Sequence, residues 1–397
     1  MAPSGAHRSE AEPPRLEGGK FRATARNDGA RCAHTSGDAM RDNTGLGLGY
    51  RFAWRLEYIG VSCFGPAQHM PATDPKRRLR RERAARVAEW TGPTQTKDGR
   101  RVQLLANVAD GNAARIASDS QAEGIGLYRT ELSFLSASEE PSVDEQAKIY
   151  KKVFNAYPNS KVVVRTLDAG SDKPISYATL SSEENPALGV RGLRIARDNE
   201  SLLTRQLDAI AQAAESRGDD AETWVMAPMV ATSKEAQWFA ELCRERGLTA
   251  GAMIEVPAAA LMADKIMPHL DFVSIGTNDL TQYTMAADRL SPQLAYLTDP
   301  WQPAVLRLIQ HTCIVGQANN VAVGVCGEAA ADPMLACVLT GLGVNSLSAA
   351  STAVAGVGAQ LAEVTLEQCQ QLAEVALDAE SPDAARTAVV ERMESFA

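Results

Sequence analysis

A short apolar run, a polar or glycine-containing break and a stretch of helical period form a unit that recurs eight times from residue 102 onward. The apolar runs lie at 102–108, 124–128, 162–164, 224–229, 252–254, 272–275, 321–325 and 346–349. Each is the length of a buried strand and rich in β-formers. Helices are predicted near 112–121, 143–157, 192–215, 233–246, 257–267, 302–319 and 333–341, with a last one over roughly 359–378. Alternation of this kind over about 280 residues predicts an α/β fold, a closed (β/α)8 barrel of TIM type rather than an open doubly wound sheet. No GxGxxG or GxxxxGK[ST] loop competes with that reading.

Residues 1–75 do not share the pattern. They are rich in Arg, Gly, Ala, Ser and Pro, have no sustained period, and are expected to be irregular or disordered. Residues 76–95, which include KRRLRRERAARVAEW, read as a linker helix, and 96–397 as the barrel domain. With 40 Lys and Arg against 49 Asp and Glu the net charge is −9, and no aromatics interleave the basic run, so a nucleic-acid partner is not expected. No apolar run reaches the roughly 18 residues that span a bilayer, so no membrane partner is expected. The N-terminus lacks a charged-then-apolar signal pattern, and the expected location is the cytoplasm. Cysteines at 32, 63, 243, 313, 326, 337 and 369 are scattered without a CxxC pair and read as reduced thiols.

A (β/α)8 barrel carries its active site at the C-terminal ends of its strands, and charged residues collect there. The second run leads into Arg129-Thr130-Glu131, and the third into Arg165-Thr166-Leu167-Asp168, with Asp172 and Lys173 just beyond. After the fifth comes Glu255, after the sixth Asn278 and Asp279, and after the seventh Cys326-Gly327-Glu328. Glu255 and Asp279 offer oxygen ligands to a hard divalent cation such as Mg²⁺. Arg129, Arg165 and Arg289 offer bidentate forks for phosphate and carboxylate oxygens. A small, doubly anionic substrate is expected. Singly, each residue also has a plainer reading: Glu255 as the cap of a helix beginning near Pro257, Asp279 as the end of a strand, Cys326 as a core thiol.

Six stretches resemble the phosphoenolpyruvate-utilising enzymes, and within them the Enzyme I group of the bacterial phosphotransferase system. They are GIGLYRTELSFL at 124–135, VVVRTLDAGSDKPISY at 162–177, NPALGVRGLRI at 185–195, AGAMIEVPAAALMADKI at 250–266, DFVSIGTNDLTQYTMAADR at 271–289 and GVCGEAAADP at 324–333. The resemblance implies a dimeric (β/α)8 barrel that binds phosphoenolpyruvate and Mg²⁺ and releases pyruvate. It further implies that Glu255 and Asp279 hold the metal and that Arg129 and Arg165 hold the phosphate. Asn278 and Arg289 would complete the substrate site, with Arg191 and Lys173 nearby. Cys326 would be the acid that protonates the methylene carbon of the enolate, since a thiol at a strand end near cations can have a pKa useful for that step.

The chain departs from that group in two places. A phosphoacceptor stretch of the Gly-Gly-x-Thr-Ser-His type is missing, as is room for the domain that docks the phosphocarrier protein HPr. His34 has Thr and Ser after it rather than before it. The expectation is a truncated phosphoenolpyruvate-protein phosphotransferase that needs a histidine domain in trans. The alternatives are a noncatalytic phosphoenolpyruvate-binding or dimer-partner protein, a barrel fragment of the pyruvate phosphate dikinase or phosphoenolpyruvate synthase type, and a lyase on the same barrel. The second departure is SLSAAS at 346–351, where the group usually has a Met and then a Pro.

Overall fold

Strands covered by helices outside and packed side chains inside must be apolar on both faces, and the short Val, Ile and Ala runs of this chain meet that demand. The computed structural model describes residues 90–396 except 135–138, 171–174, 176, 180–182 and 219. The strands are β1 (Gln103–Val108), β2 (Ile125–Arg129), β3 (Val162–Arg165), β4 (Thr223–Ala227), β5 (Thr249–Ile254), β6 (Phe272–Ile275), β7 (Ala322–Val325) and β8 (Ser346–Ala349). All pair in parallel, in sequence order, and β8 closes on β1. The α/β TIM-type barrel expected from periodicity is the fold observed.

The helices are α1 (Gly111–Ser118), α2 (Val143–Phe154), α3 (Glu200–Ala214), α4 (Ser233–Arg244), α5 (Pro257–Leu261), α6 (Ala263–Ile266), α7 (Thr277–Thr284), α8 (Pro303–Asn319), α9 (Pro333–Gly341), α10 (Ser351–Leu361), α11 (Leu366–Asp378) and α12 (Pro382–Glu394). Several differ from expectation: the helix predicted over 257–267 is the two short helices α5 and α6, and α7 is not among the predicted helices. The helix predicted over 192–215 is a 3₁₀ segment, Gly192–Arg197, followed by α3, because Asp198 and Asn199 interrupt the hydrogen-bond ladder. The helix predicted over 359–378 is two helices, since Thr365 caps α11 in a reciprocal box with Gln368. Helix α12 had no sequence expectation. Of the predicted linker, only residues 90–95 are described; they are not helical, and Gln95 bridges to Arg101.

Two apolar cores result. The larger lies between barrel and helices, while Leu127, Val163, Met226, Met253, Phe272 and Cys326 pack inside the barrel. Near the N-terminal mouth Trp224 stacks at 4.6 Å on Phe272, and Lys161 Nζ sits 3.6 Å over the Trp224 ring. Gly251, opposite Phe272 in the ladder, leaves room for that ring: a β-carbon at 251 would lie well inside van der Waals contact with it. We therefore expect Gly251→Ala to lower stability by about 1–3 kcal/mol through overpacking, read as a lower denaturation midpoint at unchanged m-value.

Candidate active site

Strand register aligns the rim. Ile254 pairs with Ile275 and Ile275 with Val325, so the next residues, Glu255, Gly276 and Cys326, emerge as neighbours. On the other wall Arg129 pairs with Arg165. Arg129, Arg165, Glu255, Asn278, Asp279, Arg289 and Cys326 all line one cleft of about 310 Å³ at this end. Arg191 is brought close without lining it, and Lys173 lies outside the described residues.

Arg165 and Arg191 are held by Glu131 and Asp168, carboxylates that the sequence places at the strand ends but that were given no role there. Arg165 is 7 % exposed. Its Nη2 donates to Glu131 Oε1 at 2.6 Å, and its Nη1 lies 3.0 Å from Asp168 Oδ2. Burial works against this guanidinium, but Glu131 and Asp168 more than restore its charge and raise its pKa. Arg191 donates to the same Asp168 from Nε at 3.2 Å and from Nη2 at 3.0 and 2.9 Å. Both carboxylates stand two or three residues beyond a rim arginine, a spacing that could have flagged them.

Glu255 is fully buried, and its Oε1 accepts from the backbone N–H of Met229 at 2.7 Å. It does not cap α5: Val256 holds the N-cap position without a side-chain bond. Asp279 sits in the first turn of α7 rather than at a strand end. Arg191 Nη1 and Arg289 Nη1 each lie 3.8 Å from an Asp279 oxygen, beyond hydrogen-bond reach. Among the described residues, Glu255 Oε2 and Asp279 Oδ1 are buried without a hydrogen-bond partner. Two bare carboxylate oxygens on adjacent elements suit a hard divalent cation that keeps its remaining ligands as water and substrate. Among the described residues no cluster of three or more His, Cys, Asp or Glu could hold a metal by protein ligands alone.

Met229 itself was missed. It has a left-handed φ of 60°, a conformation uncommon outside Gly and Asn that composition does not signal. Asn278 ties two rims together, its Oδ1 accepting from the Glu328 N–H at 3.0 Å. Cys326 is 4 % exposed, at once a cleft residue and part of the inner core. Neighbouring cations do not set its acidity: burial pushes the thiol up to about 11, with the Ser274 hydroxyl and Arg165 offsetting part of the rise. The thiol thus keeps its proton at neutral pH.

The C-terminal mouth of this parallel barrel is a cleft lined by arginines and buried carboxylates together. The family model for the PEP-binding domain of PEP-utilising enzymes matches residues 83–366, and the chain belongs to that family. It is 49 % identical over 324 residues to a phosphoenolpyruvate-protein phosphotransferase of Streptomyces coelicolor, covering 80 % of this chain and 58 % of that protein. A multiphosphoryl transfer protein of Rhodobacter capsulatus is 41 % identical over 75 % of this chain and 36 % of its own length. A phosphoenolpyruvate-protein phosphotransferase of Haloferax volcanii is 40 % identical over 76 % of this chain and 56 % of its own. The chain thus spans between about a third and three fifths of the length of these relatives.

Burial, with Asp168 and Asp279 nearby, pushes the Glu255 pKa up from 4.5 to about 8. Between those values the unfolded chain has released this proton and the folded chain keeps it, so the metal-free protein loses stability as pH rises through the window. Glu255→Gln keeps an acceptor for Met229 and removes the charge. Its metal-free form should be more stable than wild type by roughly 4 kcal/mol at pH 8, with little gain at pH 4.5, as read by denaturant titration at both pH values.

Proposed function

We propose that this chain is the substrate-binding barrel of an Enzyme I-type phosphoenolpyruvate-protein phosphotransferase. The reaction is Mg²⁺-dependent phosphoryl transfer from phosphoenolpyruvate to a histidine with release of pyruvate, the first step of sugar transport by the phosphotransferase system. The observation that carries this reading is the pairing, across one cleft, of arginine forks with two bare carboxylate oxygens, in a chain whose relatives are named for that reaction.

In this reading Arg129 and Arg165 bind the phosphate, and Asn278 and Arg289 bind the rest of the substrate. Arg191 acts through Asp168 by fixing the plane of the carboxylate that orients Arg165. Lys173 is assigned to the substrate site from its motif alone. Glu255 and Asp279 would hold Mg²⁺, and the ion would supply charge neutralisation to the anionic substrate. Cys326 delivers its proton to the methylene carbon, a role its retained proton suits. A histidine domain accepts the phosphoryl group and HPr receives it next. The barrel pairs as a homodimer, for which exposed Leu261, Met262, Leu290 and Tyr296 supply apolar surface. A cytoplasmic location belongs to the same reading; among the described residues no helix is long and apolar enough to cross a membrane.

Calorimetry should give phosphoenolpyruvate binding that requires Mg²⁺ and weakens about 100-fold or more in Asp279→Ala. Pyruvate should appear only after an isolated histidine domain is added. Binding without any transfer would leave a phosphoenolpyruvate sensor, and absence of binding would remove the assignment.

A further inference from the structure

The barrel interior is polar on one side. Ser274 on β6, Gly324 on β7 and Ser346 on β8 are successive partners in the ladder, so they form one row across three strands. Barrel interiors are ordinarily filled at such positions by branched apolar side chains. Here a β-carbon at Gly324 would lie 2.6 Å from Ser346 Oγ and 3.8 Å from Ser274 Oγ, so the glycine keeps the space between the hydroxyls open. That space belongs to a cavity of about 60 Å³ beneath the active site, lined also by Ser348. A water needs at least about 10–15 Å³, so the cavity has room for several. It reaches the N-terminal mouth, where Ala322 is exposed and Lys161 and Ser346 are half-buried. At its upper end Ser274 stands one row below Cys326 on the inward face, since its ladder partner Gly324 precedes the cysteine by two residues, and the thiol donates to the carbonyl of the adjacent Ile275 at 3.6 Å.

Resting on the function proposed above, we infer that Ser274 and the hydroxyl-lined cavity beneath it form a proton relay that resets Cys326 from the N-terminal mouth of the barrel. Once the thiol has protonated the enolate carbon, a thiolate stands at the floor of a cleft filled by product. The Ser274 hydroxyl gives its proton to that sulfur and takes one from a cavity water, and the hydroxide left behind recovers a proton from solvent at the mouth. An S–H bond forms, one water O–H bond breaks, and nothing is oxidised or reduced. The same path run backwards lets the thiol proton exchange with solvent while pyruvate is bound.

The test uses the full chain with Mg²⁺ and pyruvate in D₂O, following loss of the pyruvate methyl proton signal by NMR, alongside calorimetric binding of phosphoenolpyruvate. Wild type should bind and exchange. Ser274→Ala should bind within about twofold of wild type and exchange at least tenfold more slowly, and Ser274→Thr, which restores a hydroxyl, should recover most of the rate. A merely structural serine would not separate exchange from binding. Exchange at the wild-type rate in Ser274→Ala overturns the relay; if that variant does not fold, Ser346→Ala is decisive, and a wild-type rate there overturns it equally. Wild-type chain that binds phosphoenolpyruvate yet never exchanges also overturns the relay alone, whereas absence of both binding and exchange overturns the functional reading beneath it.

Discussion

The carboxylate of Asp168, 5 % exposed, is the contact on which the rim depends. It takes the fork of Arg191 on both oxygens and pairs with Arg165 from the same side chain. Withdrawing an ion from water costs several kcal/mol even after relaxation, so two buried guanidiniums stay in place only if paired and hydrogen-bonded. Asp168 and Glu131 supply two negative charges against those of Arg165 and Arg191, and that part of the cluster is neutral without a ligand. Arg129 and Arg289 line the same cleft as Glu255 and Asp279, and burial keeps the Glu255 carboxyl protonated at neutral pH. Groups of both signs thus face one cleft, an arrangement suited to an anion and a cation bound together.

The place of Glu255 among them is fixed by strain held in the surrounding scaffold. Met229 occupies a left-handed backbone conformation, a deviation that costs of order 1–3 kcal/mol for such a residue. Its N–H consequently meets one oxygen of Glu255 and leaves the other bare. The neighbouring loop fits around it: Gly192, also at positive φ, has no β-carbon where one would sit 2.9 Å from Met229 Cγ. Buried orphan oxygens, a carboxyl held out of its ordinary range and a strained peptide lie together at one end of a barrel whose body is otherwise densely apolar. Stability is supplied by the body and relinquished at the rim.

The division between body and rim also decides what could be read from the chain itself. Strand β6 and strand β8 fall at the limits their apolar runs suggest, and the barrel follows from the alternation, because burial on both faces leaves a strong local signal. Rim residues such as Arg129, Glu255 and Cys326 were legible since a barrel directs whatever follows each strand to one place. Illegible features are those set by tertiary contact. Nothing local says that Asp168 will take both Arg165 and Arg191, or that Met229 will turn left-handed. The thiol of Cys326 is governed by how deeply it is buried, and its cationic neighbours gave the opposite impression. The break between α10 and α11 was available and overlooked: Thr365 and Gln368 stand at capping-box spacing.

Order around the barrel sets the direction of the chemistry. In a closed ring of eight parallel strands β3 faces β7, so Arg165 and Cys326 approach the cleft from opposite walls, with Glu255 and Asp279 on the arc between them. In the proposed reaction the substrate's phosphate is gripped on the β2–β3 side, where charges are balanced and rigid. Its methylene carbon then points towards β7, where the interior turns from apolar to hydroxyl-bearing. Phosphate binding and carbon protonation make opposite demands, one for fixed positive charge and the other for a group that can lose and regain a proton. Placing them half a barrel apart lets each wall be built for one task, and a three-carbon anion is the bridge that uses both.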